Sequence, residues 1–137
     1  MTTATNSVSK GRLWTGRIIS GLFAFLLALD ALGKFMKPEP VVQGTLELGY
    51  PVSVIVPLGV LLLAGVIFYA LPRTAVFGAI LLTGYLGGAV ATHVRVGNPT
   101  FTHVLVPVYV GVLLWVGLTL RDRRLEALLF AKDRETV

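Results

Sequence analysis

Residues 52–71 read VSVIVPLGVLLLAGVIFYAL and residues 74–94 read TAVFGAILLTGYLGGAVATHV, with only Pro72 and Arg73 between them. A helix needs about 20 apolar residues to cross the hydrocarbon core of a bilayer. Each stretch has that length and contains no Lys, Arg, Asp or Glu. The proline and the arginine break the chain into a tight turn. The two stretches therefore predict a pair of antiparallel transmembrane helices joined by a hairpin.

Two further apolar stretches flank this hairpin and have the same length. The sequence thus predicts an all-α membrane protein, a four-transmembrane-helix bundle with spans at about 14–35, 52–71, 74–94 and 99–120. Of the 137 residues 55% are hydrophobic and only 14% are charged, whereas soluble domains carry about 25% charge. Between the third and fourth spans, Gly97 suits a C-cap, Asn98 an N-cap and Pro99 the first helical position.

The segments outside the bundle are short. Residues 1–11 are rich in Thr and Ser and predict a disordered tail, ahead of a transmembrane domain over residues 12–120. In the loop at 36–50, Val41 to Leu48 predict a short helix on the outer membrane surface. Residues 121–137 alternate charged and apolar side chains and predict a cytoplasmic amphipathic tail helix. A cleaved signal peptide is disfavoured, because the first apolar run is too long and Asp30 lies late in it.

The basic residues predict the orientation of the bundle. With a cytoplasmic N-terminus, nine of the twelve Lys and Arg residues lie on the inner side, and three, Lys34, Lys37 and Arg95, lie on the outer side. Cytoplasmic loops of membrane proteins carry such an excess. We therefore expect a multi-pass protein of the cytoplasmic (plasma) membrane with both termini in the cytoplasm. The formal charge of +5 then reflects this orientation, and no nucleic-acid partner is expected.

Eleven of the fifteen glycines fall within the four spans, and the third span contains the GxxxG pair Gly84 and Gly88, followed by Ala91. Helices in lipid associate through small residues, which allow their backbones to approach closely. The favoured interpretation is helix packing within one bundle. The alternative is the seam of a homo-oligomer.

Ionisable residues inside the spans are few and lie at one level. Asp30 and Lys34 are near the outer end of the first helix, His93 and Arg95 close the third, and His103 is one turn into the fourth. Charged groups in a bilayer are costly, so they are functional candidates by default. Asp30 could pair with Lys34 four residues on, or with the histidines or Arg95 across the bundle. A proline-kinked helix at Pro107 would also leave the His103 carbonyl free.

The chain has no cysteine, so thiol catalysis, disulfides and iron–sulfur ligation are excluded. The histidines do not have a helical metal-ligand spacing, which disfavours a metal site or haem. No nucleophile–base pair, phosphate-binding loop or paired acid motif is present, so catalytic residues stay unknown. The inner halves of the spans lack ionisable residues, which disfavours a proton or solute conduit.

Several motifs together carry a family resemblance. They are Gly16-Arg17-Ile18, Asp30-Ala31-Leu32-Gly33-Lys34-Phe35, Leu48-Gly49-Tyr50-Pro51, Leu71-Pro72-Arg73-Thr74-Ala75, the run from Gly78 to Ala89, and His93-Val94-Arg95 with Pro99, Phe101, His103 and Pro107-Val108-Tyr109. With these residues the sequence resembles the DoxX-like family of small four-helix membrane proteins, over about residues 16–124. Leu62 stands near the position where many relatives carry a glutamate.

The resemblance implies the four-helix fold and suggests two functions. Families of this kind are often named for a subunit of a thiosulfate:quinone oxidoreductase, which implies a redox-associated subunit that binds a quinone-like or other lipophilic small molecule in the outer leaflet. His93 and His103 would hydrogen-bond its carbonyl or move its proton, and Arg95 would stabilise an oxyanion. The wider group also resembles membrane chaperones and cargo receptors. This implies the alternative, a non-enzymatic scaffold or chaperone-like partner of another membrane protein.

Overall fold

A computed structural model describes residues 9–130, and all of its regular structure is helical. The helices are α1 (Lys10–Met36), α2 (Glu39–Glu47), α3 (Ile55–Ala70), α4 (Ala75–Arg95), α5 (Leu105–Arg121) and α6 (Arg123–Leu129). A 3₁₀ turn at Val52–Val54 leads into α3, and a π-helical turn at Thr100–Val104 leads into α5. Four of these segments are long and apolar enough to cross a membrane: Lys10–Met36, Val52–Ala70, Ala75–Arg95 and Thr100–Arg121.

Helix boundaries follow from local capping. The Ser9 hydroxyl accepts a hydrogen bond from the Arg12 amide, so α1 begins at Lys10 and takes in two residues of the predicted disordered tail. Residues 1–8 of that tail lie outside the described residues. At the other end of α1, Lys37 is left-handed (φ 49°) and donates its amide to the Gly33 carbonyl. Pro38 and Pro40 then begin α2, which confirms a short helix in the 36–50 loop.

The four long helices form a ring. Helix α1 packs against α3 and α5, and α4 packs against the same two helices, so α1 and α4 lie diagonally opposite. Within an apolar stretch of 18 residues in each span, between 11% and 33% of the residues are buried inside the bundle. Apolar side chains such as Phe25, Ile80 and Val112 are exposed on the outside, as a lipid-facing surface requires. The predicted four-helix bundle is confirmed.

Small residues set the tight seams of the bundle, though not the ones the GxxxG motif indicated. A Cβ at Gly16 would lie 2.8 Å from the Gly117 carbonyl oxygen, and one at Gly117 would lie 2.6 Å from Ser20 Oγ. By contrast, Gly84 and Gly88 are exposed, and a Cβ on either would meet no described atom within 4 Å. The prediction that this GxxxG pair packs inside the bundle was wrong, because the buried face of α4 runs through Gly78, Leu82 and Leu86 instead.

The two ends of the bundle differ in chemistry. We call the end that holds His93 and His103 the histidine end, and the opposite end, which holds Arg12 and Arg121, the arginine end. At the arginine end Tyr69 is fully buried; its hydroxyl donates to the Leu114 carbonyl at 2.6 Å, and its oxygen lies 3.0 Å from Ser20 Oγ. This one side chain therefore joins α1, α3 and α5.

Arginines reinforce the same end. Arg121 donates to the Tyr69 carbonyl at 2.9 Å and lies over the Tyr69 ring. Arg12 forms an ion pair with Glu126 of α6, which holds this short helix against the start of α1. Of the predicted tail helix over 121–137, α6 accounts for seven residues, and residues 131–137 lie outside the described part.

Candidate functional site

The connection between α4 and α5 forms the histidine end of the bundle. Gly97 takes up a left-handed conformation (φ 74°), which reverses the chain directly after α4. The Asn98 amide then donates to the His93 carbonyl at 3.0 Å. Pro99 precedes the π-helical turn, and its carbonyl accepts from the His103 amide at 3.1 Å and from the Val104 amide at 3.4 Å. Such single π-helical turns are frequent at functional sites.

This connection brings the two histidines of the chain together. The ring centroids of His93 and His103 are 5.6 Å apart, with an angle of 63° between the ring planes. His93 is half-buried and His103 is exposed on the bundle surface. They are separated by ten residues in sequence, and it is the left-handed Gly97 and the wide turn after Pro99 that close the distance.

The Nδ1 atom of each ring is engaged locally. Asn98 Nδ2 lies 2.8 Å from His93 Nδ1, and Thr102 Oγ1 lies 2.8 Å from His103 Nδ1. Asn98 therefore binds His93 and does not act as the N-cap that the sequence indicated. Because an amide nitrogen can only donate, it fixes the neutral His93 ring as the tautomer protonated on Nε2. Within residues 9–130 neither Nε2 atom has a protein partner.

Arg95 points away from this pair and holds a different loop. Its guanidinium donates to the Leu48 carbonyl at 2.6 Å and lies over the Tyr50 ring, with 5.7 Å between Cζ and the ring centroid. The Tyr50 hydroxyl lies 2.9 Å from Thr92 Oγ1. The left-handed Gly49 (φ 79°) carries the chain past the guanidinium. Arg95 thus fastens the α2–α3 connection to the end of α4.

Asp30 and Lys34 pair with each other. Their side chains form an ion pair of 2.7 Å within α1, with Lys34 16% exposed and Asp30 50% exposed. The Lys34 stem packs against Gly59 of α3. Of the two pairings that the sequence left open for Asp30, the structure shows the one within α1.

A groove runs between α4 and α5 on the outside of the bundle, and sequence reasoning missed it. Its volume is about 550 Å³, well within the 300–1,000 Å³ range of ligand pockets. It begins beside Val90 and Pro107, at most about 6 Å along the helix axes from His93 and His103, and it reaches Leu129 and Phe130 beyond α5. The one sequence signal for the groove was the presence of glycines in the third and fourth spans, because Gly87 and Gly111 line it from opposite helices.

The polar side chains that line the groove all form hydrogen bonds within the protein. Trp115 Nε1 donates to Thr83 Oγ1 at 2.8 Å across the seam, and Thr83 donates in turn to the Ala79 carbonyl. Thr119 donates to the Trp115 carbonyl. No charged side chain is found among the lining residues that the structure describes. The groove therefore offers a hydrocarbon-like surface.

Two further observations bear on the chemistry. Across residues 9–130 no group of three or more His, Asp or Glu side chains is arranged to hold a metal ion. Leu62 is fully buried among core residues. An acid at this position would be enclosed in the middle of the bundle. Because the residue is leucine, no carboxyl group is available at this position for chemistry.

Comparison with known proteins places the chain in a family. A protein-family model described as the DoxX-like family matches residues 18–117, well over half of the sequence. No curated protein and no solved structure matches the chain. The matched region begins in α1 and ends in α5, so it covers α3, α4, most of α1 and α5, the histidine pair and most of the residues that line the groove. The chain therefore belongs to the DoxX-like family and is a membrane protein of that family.

Proposed function

We propose that the histidine pair binds the polar head of a quinone-like lipophilic molecule, and that the protein serves as a redox-associated membrane subunit. The observation that carries this proposal is the pairing of two imidazoles at 5.6 Å with both Nδ1 atoms engaged and both Nε2 atoms without a protein partner. The proposal requires these two nitrogens to bond one small polar group between them.

The tautomer of His93 favours a carbonyl as that group. With Nδ1 held by Asn98, neutral His93 carries its proton on Nε2 and acts as a donor. A quinone carbonyl is an acceptor, and it gains a proton as it is reduced. Reduction of a quinone to a quinol takes up two electrons and two protons. In our proposal the imidazoles relay protons, and a partner redox protein supplies the electrons.

The other ionisable residues near the histidine end, Arg95, Asp30 and Lys34, have supporting roles in the proposal. Arg95 positions the α2–α3 connection beside the site through its bond to Leu48, and its guanidinium is therefore not the group that would stabilise an oxyanion. Asp30 and Lys34 neutralise each other, which lowers the cost of charge at this depth.

A quinone titration tests the proposal. The protein, isotope-labelled on histidine and placed in lipid nanodiscs, is titrated with a quinone that has a very short tail, while the two imidazole signals are followed by NMR. We expect both signals to shift. Loss of one neutral hydrogen bond costs about 0.5–1.5 kcal/mol, so His93→Ala should weaken binding roughly two- to tenfold. Tyr109→Phe, a change on the exposed face of α5, is the matched control. Unmoved histidine signals at saturating quinone would refute the proposal.

We also propose that the histidine end faces outward from the cytoplasm, because the basic residues favour the opposite end nine to three. The native chain lacks cysteine, so single cysteines report the orientation. Gln43→Cys in α2 and Ala127→Cys in α6 are both exposed positions. In intact cells an impermeant maleimide should label the first and spare the second. The reverse pattern would invert the assignment.

A scaffold or chaperone-like role is the second candidate, and one observation favours it. Much of the polar layer at the histidine end is bonded within the chain, as in the Tyr50–Thr92 and Arg95–Leu48 contacts. A layer of this kind holds helices in register. On this hypothesis His103→Ala lowers thermal stability in detergent and changes no ligand binding. A variant with normal stability and lost quinone binding would exclude it.

A further inference from the structure

We infer that the groove between α4 and α5 holds the hydrocarbon tail of the same molecule whose head binds the histidine pair, so that the ligand is a long-tailed amphiphile. This inference rests on the proposed function of the histidines. The inference adds to the histidine site a second subsite, formed by the residues that line the groove. It also predicts that the ligand carries a long hydrocarbon tail.

Continuity between the two regions supports the inference. Val90 lies three residues before His93 on α4, and Pro107 lies four residues after His103 on α5. Both are at most about 6 Å along the helix axes from the corresponding histidine. A molecule bound between the imidazoles therefore has its tail attached at the mouth of the groove.

The dimensions suit a single chain of limited length. Along α5 the lining extends from Pro107 to Leu120, which is about 20 Å at 1.5 Å per residue. Leu129 and Phe130 stand at the arginine end of this run. A tail of about this length fills the groove, and any longer tail must continue into the bilayer.

The chemistry of the wall selects hydrocarbon and argues against a phospholipid as the occupant. Thr83, Trp115 and Thr119 are the lining side chains with polar atoms, and all three are bonded inside the protein. None of the described lining residues is charged, so nothing along the groove would bind a phosphate headgroup. The polar contacts available to an occupant are those of the histidine pair at its mouth.

Glycines on opposite walls keep the groove open. A Cβ at Gly87 would meet no described atom within 4 Å, and one at Gly111 would meet only Leu86 Cδ1, at 3.6 Å. Larger side chains at these two positions therefore fit the bundle and fill the groove. Gly84 is one turn from Gly87 on the same helix, is equally unobstructed and does not line the groove. It provides a matched control.

The test measures quinone affinity in nanodiscs as a function of tail length, for the unaltered protein and for Gly87→Leu, Gly111→Leu and Gly84→Leu. For the unaltered protein and Gly84→Leu, we expect affinity to rise with tail length and to level off once the tail spans the groove. Because a leucine side chain would occupy the space that the tail needs, Gly87→Leu should weaken binding of the long-tailed quinone about tenfold or more. A tail-less quinone should bind all four proteins equally.

The outcomes separate the two proposals. If the tail-less quinone binds and tail length has no effect, or if Gly87→Leu and Gly111→Leu match Gly84→Leu, the head site stands and the groove inference is wrong. If a saturated hydrocarbon or a phospholipid displaces the long-tailed quinone with equal affinity, the groove is a bilayer-lipid site and the inference is also wrong. If no quinone binds the unaltered protein, both proposals fail together. Thermal unfolding of each variant identifies any that fails to fold. If Gly87→Leu on α4 does not fold, Gly111→Leu on α5 tests the groove inference, and the reverse also holds.

Discussion

Replacement of Gly78 by alanine tests the packing of the bundle directly. A Cβ at this position would lie against the Tyr69 amide nitrogen, and it would be 2.6 Å from both the Phe68 carbonyl carbon and Tyr69 Cα. Carbon atoms pack at about 3.5–4.0 Å, so α3 and α4 would have to separate by roughly 1 Å. The atoms in the way belong to backbone, which cannot move aside as a flexible side chain can.

The expected loss combines two effects. Forced overpacking costs about 1–3 kcal/mol, and separation of the helices also strains the hydroxyl bond from Tyr69 to Leu114, worth about 0.5–1.5 kcal/mol. Alanine recovers up to about 1 kcal/mol through its better helix propensity. We therefore expect Gly78→Ala to lower the free energy of unfolding by about 2–3 kcal/mol. Gly84→Ala, where the new Cβ meets no described atom within 4 Å, should be neutral or slightly stabilising.

The assay is reversible unfolding of the purified protein in mixed micelles with increasing SDS, followed by the intrinsic fluorescence of the two tryptophans, Trp14 and Trp115. Because Gly78 acts on Tyr69, the loss caused by Tyr69→Phe should be smaller in the Gly78→Ala background than in the native one. Equal midpoints for Gly78→Ala, Gly84→Ala and the unaltered protein would refute the packing argument.

Three further predictions concern single contacts. Tyr69→Phe removes a buried hydroxyl bond to the Leu114 carbonyl and should lower the free energy of unfolding by about 1 kcal/mol in the same SDS titration; an unchanged midpoint would contradict this. Asp30→Asn and Lys34→Met each leave one charge without its partner, so each should lower the unfolding temperature, and the double variant should recover much of the loss; additive losses would be evidence against a coupled pair. Arg95→Ala removes the bond to the loop after α2 and should speed hydrogen exchange at the amides of residues 48–50, whereas unaltered exchange there would rule out a fastening role for this arginine.

The sequence predicted the architecture well because the relevant physics is local. Each span needs about 20 apolar residues, and the Pro72-Arg73 turn lies directly between two of them. The Asp30–Lys34 pair was likewise foreseeable, since residues four apart on a helix are neighbours. The separation of Arg95 from the histidine pair could be foreseen in part, because Arg95 lies two residues from His93 and therefore points to another side of α4.

Other features depend on the rotation of each helix about its axis, which the sequence does not specify. Gly84 and Gly78 both looked like packing residues, and only the assembled bundle shows that Gly78 meets α3 while Gly84 faces outward. The same uncertainty concealed the groove, which exists because Gly87 and Gly111 face each other across the least extensive of the four long-helix seams. The distance between His93 and His103 required the shape of the turn between them.

The uneven placement of polar cross-links along the bundle has a mechanical consequence. Bonds between different helices are concentrated around Tyr69, where three helices meet through one side chain and Arg121 adds another link. The α5 span, by contrast, begins with the π-helical turn Thr100–Val104, which carries His103. We therefore expect thermal tilting of α5 against its neighbours to pivot near Tyr69 and to have its greatest amplitude at the imidazoles. On the proposed function, we therefore expect a membrane-dissolved molecule to reach the histidines sideways from the lipid, without any rearrangement of the opposite half of the protein.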